Sequence, residues 1–328
     1  MKRSRPTVVA FGGGHGLAAS LAALRQLPVD LTAVVTVADD GGSSGRMRQE
    51  LAALPPGDLR MALATLAGDD AWGHMWARLV QHRFGGSGPL AGHAVGNLML
   101  TGLIDLLADP VEALDLLGKL LGATGRVLPM CCEPLDIVAE VLGLDPADPG
   151  RVQEVRGQVQ VATTTGRVCG VRLVPAEPVA CPAAVEAVLD ADLLVLGPGS
   201  WFTSVLPHLL VPDLAKAITT SPARTVVTLN IAPQLGETTG FSAESYLEVL
   251  ALHAPELEVD VVLADPSTVT GDGERAGDAE RRLAAVIHDA GAELLIWPVA
   301  DGDSARHHPA RLAEAYRAIL FASAKGDG

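Results

Sequence analysis

Apolar residues in this chain fall into short, nearly continuous runs, each ending in a polar loop rich in glycine, serine or aspartate. Thr7 to Phe11 is such a run, followed by a glycine turn, Gly12 to Gly16, and an alanine- and leucine-rich helical stretch from Leu17 to Leu27. Leu31 to Ala38 is a β-branched strand. Uniformly apolar strands of this kind suit a parallel sheet covered on both faces. From about 59 to 121 the period becomes helical in LRMALATLA, AWGHMWARLVQHRF, VGNLMLTGLIDLLA and VEALDLLGKLLG. Strand signals return at RVLPM, and QVQVATTTGRVCGVRLVP predicts a hairpin over about 158–174 with its turn at Thr165-Gly166. The runs LLVLG, TVVTLN and VDVVLA, a last strand near Leu294 to Val299 and a helix from Pro309 to Phe321 complete the chain. This alternation predicts one domain over 1–328: an α/β/α sandwich with a mostly parallel sheet and a helical insertion. Ligands of such sheets bind at the carboxyl ends of the strands, where the polar loops lie.

Composition narrows the classes. A chain of 328 residues that is 48% hydrophobic can bury a sizeable core. A formal net charge of −15 argues against a general nucleic-acid binder, which needs a basic stripe. No apolar run reaches the roughly 18 residues of a membrane span, and the start MKRSRPTVVAFGGGHG reads as a first strand, not a signal peptide. Cys131, Cys132, Cys169 and Cys181 lack paired CxxC spacing, as expected of isolated thiols in a reducing compartment.

Six loops carry candidate chemistry. FGGGHG offers the amides of Gly12, Gly13, Gly14, His15 and Gly16 at a helix start, an arrangement that binds phosphate. It is neither the dinucleotide fingerprint, because Leu17 stands at the third glycine position, nor a P-loop, because no lysine follows. VTVADDGGSSGR joins Asp39 and Asp40 to Ser43, Ser44, Gly45 and Arg46. Its hydroxyls, amides and guanidinium suit phosphate oxygens, whereas the two carboxylates suit Mg²⁺, a ribose, loop amides or turn capping. In LPPGDLRMAL, Asp58 is a candidate N-cap, and Arg60 opposes the helix dipole and calls for a partner. GHAVGN sets His93 and Asn97 four residues apart on one helix face, with no base–nucleophile partner nearby in sequence. GPGSWFTS supplies Gly197, Gly199, Ser200 and Thr203 as a second anion nest. LNIAPQLGETTG supplies Asn230, Gln234, Glu237 and Thr238, groups suited to a base or sugar.

Taken in order, these loops resemble the YvcK branch of the CofD-like family from about Val8 to Asp265. The continuous DDGGSSGR separates this branch from the 2-phospho-L-lactate transferases. Gly12 to Gly14, Asp39 to Arg46, Asp58, Arg60, Asn97, Gly197 to Ser200, Asn230 and Glu237 match the family pattern; His15, Met61 and Pro233 depart from it. RHHPARLA resembles a family segment preceding the last helix, which makes Arg306 a candidate ligand contact. The resemblance implies a Rossmann-like fold and a cytoplasmic homodimer. It further implies a ligand of the UDP-N-acetylglucosamine type, with a role in cell shape and peptidoglycan synthesis during gluconeogenic growth. The transferase branch implies the alternative, an enzyme using Mg²⁺, here through Asp39 or Asp40.

Overall fold

The computed structural model describes residues 5–234, 236–269, 276–302 and 304–321, so the basic start at 1–4 lies outside the described residues. Ten strands occur among them: β1 (Thr7–Gly12), β2 (Asp30–Val35), β3 (Arg126–Pro129), β4 (Asp136–Leu142), β5 (Gln153–Arg156), β6 (Arg167–Val174), β7 (Leu193–Leu196), β8 (Arg224–Thr228), β9 (Val261–Ala264) and β10 (Glu293–Ile296). Seven build one sheet in the order β3-β2-β1-β7-β8-β9-β10, with every pairing parallel. Val8 to Phe11 and all four residues of β7 are buried, as expected for strands covered on both faces. Strand order reverses between β1 and β7, which opens the crevice where such sheets take ligands.

The four expected helices lie between β2 and β3, at Gly57–Leu66, Ala71–Gln81, Val95–Leu107 and Pro110–Leu121. Local chemistry sets their ends. The Asp70 carboxylate accepts the Gly73 amide at 2.7 Å, and Asp109 accepts those of Val111 and Glu112 at 2.8 and 3.1 Å. Pro110 starts the fourth helix and Gly122, at φ +61°, ends it.

Two expectations change. The loop GGSSGR enters a helix, Gly42–Leu51, at its second glycine. Its Gly45 amide bonds to the Gly41 carbonyl at 2.9 Å, and a side chain at Gly45 would collide with the Asp40 carbonyl. The hairpin expected over 158–174 is also absent in that form. Residues Gln158–Ala162 form a short helix despite the alternating QVQV, because Asp40 Oδ1 accepts the Val159 amide at 3.0 Å and caps it. β6 pairs with β4 in a separate antiparallel sheet ordered β5-β4-β6.

Candidate ligand-binding site

The glycine turn after β1 is closed by its neighbours. A Cβ at Gly13 would strike the Asp58 carboxylate and lie 2.6 Å from Thr36 Cγ2; one at Gly16 would overlap the Pro198 carbonyl and the Gly199 backbone. Gly14, at φ +54°, begins the helix Gly14–Leu24, whose own first turn has no acidic residue. The Asp58 carboxyl, from the helix Gly57–Leu66, accepts the Gly14 amide there. It lies in the first turn of Gly57–Leu66 and makes no cap for its own helix. Burial, then the nearby Asp39 charge, pushes its carboxyl up to about 7.

The adjacent aspartates diverge. Asp40 turns out to the 158–162 helix, whereas Asp39 Oδ1 accepts the Gly41 amide at 2.9 Å. Asp39 Oδ2 stands over Gly57, where a Cβ would lie 2.5 Å from both that oxygen and Ser44 Oγ. Ser44 Oγ accepts the Gly57 amide at 3.1 Å. Ser43 Oγ is 2.9 Å from His93 Nδ1 and receives Asn97 Nδ2 at 2.9 Å. Arg46 turns away to the carbonyls of Pro89 and Ala91, at 3.2 and 2.7 Å, and fastens the 84–93 loop.

These groups surround a cavity of about 230 Å³ whose polar wall comprises Asp39, Ser43, Ser44, Asp58, Arg60, Arg83 and Asn97. Arg60 is 97% buried (3% exposed). Its guanidinium bonds to Gln81 and, at 3.4 Å, to the Gly57 carbonyl, while Nε is buried without a partner. Desolvation, then Arg83, lowers it to about 10, so it remains a cation at neutral pH. Asn97 Oδ1 is likewise buried and unpartnered. His93 is held below its usual range by burial, then by the Arg46 charge, and is neutral at pH 7. Arg83, which carries no motif and which sequence reasoning missed, donates to the Gly92 carbonyl at 2.9 Å.

The loops after β7 and β8 answer each other. Asn230 clamps Gly199, accepting its amide and donating to its carbonyl, both at 2.8 Å. Gly197, at φ +77°, packs against the Thr228 carbonyl. The Ser200 hydroxyl bonds to Thr203 and to the buried Glu237, whose carboxylate faces the Phe202 and Thr203 amides; burial raises its pKa. The nest expected at Ser200–Thr203 thus holds an internal carboxylate. Thr238 Oγ1 accepts the Gln234 amide at 2.8 Å and the Tyr246 hydroxyl at 3.1 Å. A larger cavity of about 590 Å³ opens beyond, walled by Asn230, Pro233, Phe241, Tyr246, Thr268 and Arg282. His15 and Arg306 are exposed and line neither cavity. Among the described residues no helix is long and apolar enough to cross a membrane, and no group of three or more His, Cys, Asp or Glu could hold a metal.

Fold and site together define a doubly wound parallel α/β protein with a polar cavity of two arginines, two aspartates and two serines beside the crevice. The model of the 2-phospho-L-lactate transferase CofD family matches residues 8–299, and the chain belongs to that family. Within it the chain falls in the YvcK-type branch. A Mycobacterium tuberculosis protein named "Putative gluconeogenesis factor" is 55% identical over 306 residues, 93% of this chain and 88% of the relative. The "Gluconeogenesis factor" of Bacillus subtilis is 36% identical over 276 residues, 84% of each chain. A crystal structure of a UPF0052 family member from Bacillus halodurans superposes with a TM-score of 0.83 at 33% identity, covering 95% of this chain and 99% of that one.

Proposed function

We propose that this protein binds a uridine diphosphate sugar of the UDP-N-acetylglucosamine type. In this reading it acts as a cytoplasmic, homodimeric regulator of cell shape and peptidoglycan synthesis during gluconeogenic growth. One observation carries the binding half: Arg60, a buried cation with an unpartnered Nε, on the wall of a cavity shared with Arg83, Ser44 and Asn97. Asp58 and Asp39 act on the Arg60 charge from the same wall, but no acceptor meets Nε, and a phosphate fits the forked donors of a guanidinium. The larger cavity beside Asn230 has the apolar and aromatic wall that a base or sugar ring needs.

A second reading, a Mg²⁺-dependent transferase, is favoured by Asp39 and Asp58. Their facing carboxylates, one with a raised pKa, form a pair that a divalent cation would neutralise. Bound there, Mg²⁺ would supply charge neutralisation for a phosphate. Calorimetry with UDP-N-acetylglucosamine and with GDP, each with and without Mg²⁺, separates the readings. Tight UDP-sugar binding indifferent to Mg²⁺ supports the first. Mg²⁺-dependent GDP binding replaces it with the second, and no binding by either nucleotide rejects both.

A further inference from the structure

His93 and Asn97 have no reacting partner nearby in sequence; folding supplies one from the first turn of Gly42–Leu51. Ser43 Oγ, fifty residues from His93, lies 2.9 Å from its Nδ1, and Asn97 Nδ2 donates to the same oxygen at 2.9 Å. The Asn97 amide N–H fills one lone pair of Oγ; in the tautomer that carries its proton on Nε2, His93 accepts the hydroxyl hydrogen at Nδ1. This is the hydrogen-bond pattern of a hydroxyl activated by a neutral base. Both Ser43 and His93 are buried, and Ser43 lines the cavity that holds Arg60 and Arg83.

A purely structural serine would not need this placement. The same Oγ stands in the first turn of Gly42–Leu51, where free amides favour negative charge. Two further groups on that wall, Arg60 Nε and Asn97 Oδ1, are buried without partners. Arg60 Nε calls for an acceptor such as a phosphate oxygen and Asn97 Oδ1 for a donor, in a space that Asp39 and Asp58 also line, so the hydroxyl faces a polar cavity with an imidazole behind it.

We propose that Ser43 is a nucleophile, with His93 as its base, toward the terminal phosphorus of a phosphoanhydride bound against Arg60 and Arg83. The step rests on the phosphate-binding reading of the same cavity. Ser43 Oγ forms a bond to phosphorus as the bridging P–O bond breaks; the electron pair leaves with the nucleoside monophosphate, and the hydroxyl proton passes to His93 Nδ1. Water then attacks the phosphoserine, releasing phosphate and restoring the hydroxyl. The charged groups acting on His93 are Arg46, Glu50 and Arg83. The two cations lower its proton affinity and the carboxylate raises it, so labelling rate should climb with a midpoint below that of free imidazole.

The test uses the full chain and two probes. A fluorophosphonate reports the nucleophile without needing nucleotide affinity: Ser43 Oγ bonds to phosphorus and fluoride leaves. Peptide mass spectrometry should find the adduct on Ser43, and His93→Gln should slow its formation at least 100-fold with an unchanged thermal melt. UDP carrying ³²P at the β position should yield labelled phosphate and UMP, and Ser43→Ala should abolish that release in a folded variant. Ser43→Cys, read by iodoacetamide capture at that peptide, serves if the alanine variant does not fold; its thiol should react faster than those of the native cysteines. UDP that binds while Ser43 stays unlabelled and no phosphate is released overturns this proposal alone. A chain that labels at Ser43 yet binds no UDP keeps the nucleophile and overturns the phosphate-binding reading beneath it.

Discussion

Asp58 gives the sharpest quantitative test of how the crevice is built. Its carboxyl is raised from 3.8 to about 7 by burial and by Asp39, against the help of the Gly14 amide and Arg60. At pH 3 the group is protonated in both folded and unfolded chains and has no effect. As pH rises through 4 the unfolded chain loses this proton while the native chain keeps it, so native stability falls. The decline continues to about pH 7, where the native carboxyl ionises too, and then levels. A shift of about 3 pH units at 1.36 kcal/mol each sets a ceiling of about 4 kcal/mol, and partial solvent access brings the expectation to about 2–4 kcal/mol. Asp58→Asn retains an oxygen to accept the Gly14 amide and removes the ionisation. Urea unfolding of both proteins from pH 4 to pH 8, with a chelator present, should show the variant gaining on the parent through this window. Above pH 7 the gap should hold constant. A gap that stays flat from pH 4 to pH 8 would refute the buried-carboxylate account, whatever its size.

Four other outcomes follow from contacts described above. Arg60→Ala should weaken UDP-N-acetylglucosamine binding by about 1.5–3 kcal/mol in calorimetry, the worth of a hydrogen bond to a charged group; unchanged affinity in a folded variant removes Arg60 from the site. The two aspartates should separate cleanly. Asp40→Ala should cost about 1 kcal/mol of stability through the lost cap at Val159 and leave UDP-sugar affinity unaltered, whereas Asp39→Ala should change affinity. Equal affinity losses in both would contradict the divergence of their side chains. Asn230→Ala leaves the amide and carbonyl of Gly199 unpaired and should lower stability by about 2–4 kcal/mol, read from denaturant midpoints. Gly16→Ala forces a methyl group into the Pro198–Gly199 backbone and should cost about 1–3 kcal/mol; a neutral result would mean the two loops are not in contact.

The central sheet was legible because each of its strands is an apolar run followed by a breaker, and Pro309–Phe321 is a helix over the expected span. Gly42–Leu51 was not, since glycine and serine are weak helix formers and its polar stretch buries only Ser43, Ser44, Gly45 and Met47. The Gln158–Ala162 turn was hidden for a different reason. Its alternation of valine and glutamine is a strand pattern, overridden by a carboxylate 119 residues earlier. At the site, Asp39, Ser43, Ser44, Asp58, Arg60 and Asn97 were readable from their loops and share one cavity. What local sequence could not reveal is which polar groups satisfy one another. Asn230 faces Gly199, Glu237 fills the Ser200 nest, and Arg46 braces a loop, all through contacts 31 to 45 residues apart. Arg83 had only its charge to announce it.

The position of β1 also governs how the molecule can be made. One edge of this strand pairs with β2, some twenty residues on, but the other pairs Val8 with Leu193, 185 residues later. At about 5–20 residues per second, ribosomal synthesis leaves that inner edge open for roughly 10–40 s. Through that interval its backbone donors face water or any strand that arrives first. Closure comes later still, because the Ser20 hydroxyl that holds Gly197 also meets Tyr316, 296 residues downstream in the last helix. The crevice is therefore among the last parts of the nascent chain to take shape, and a truncated product would present an unfinished sheet at its centre instead of its rim.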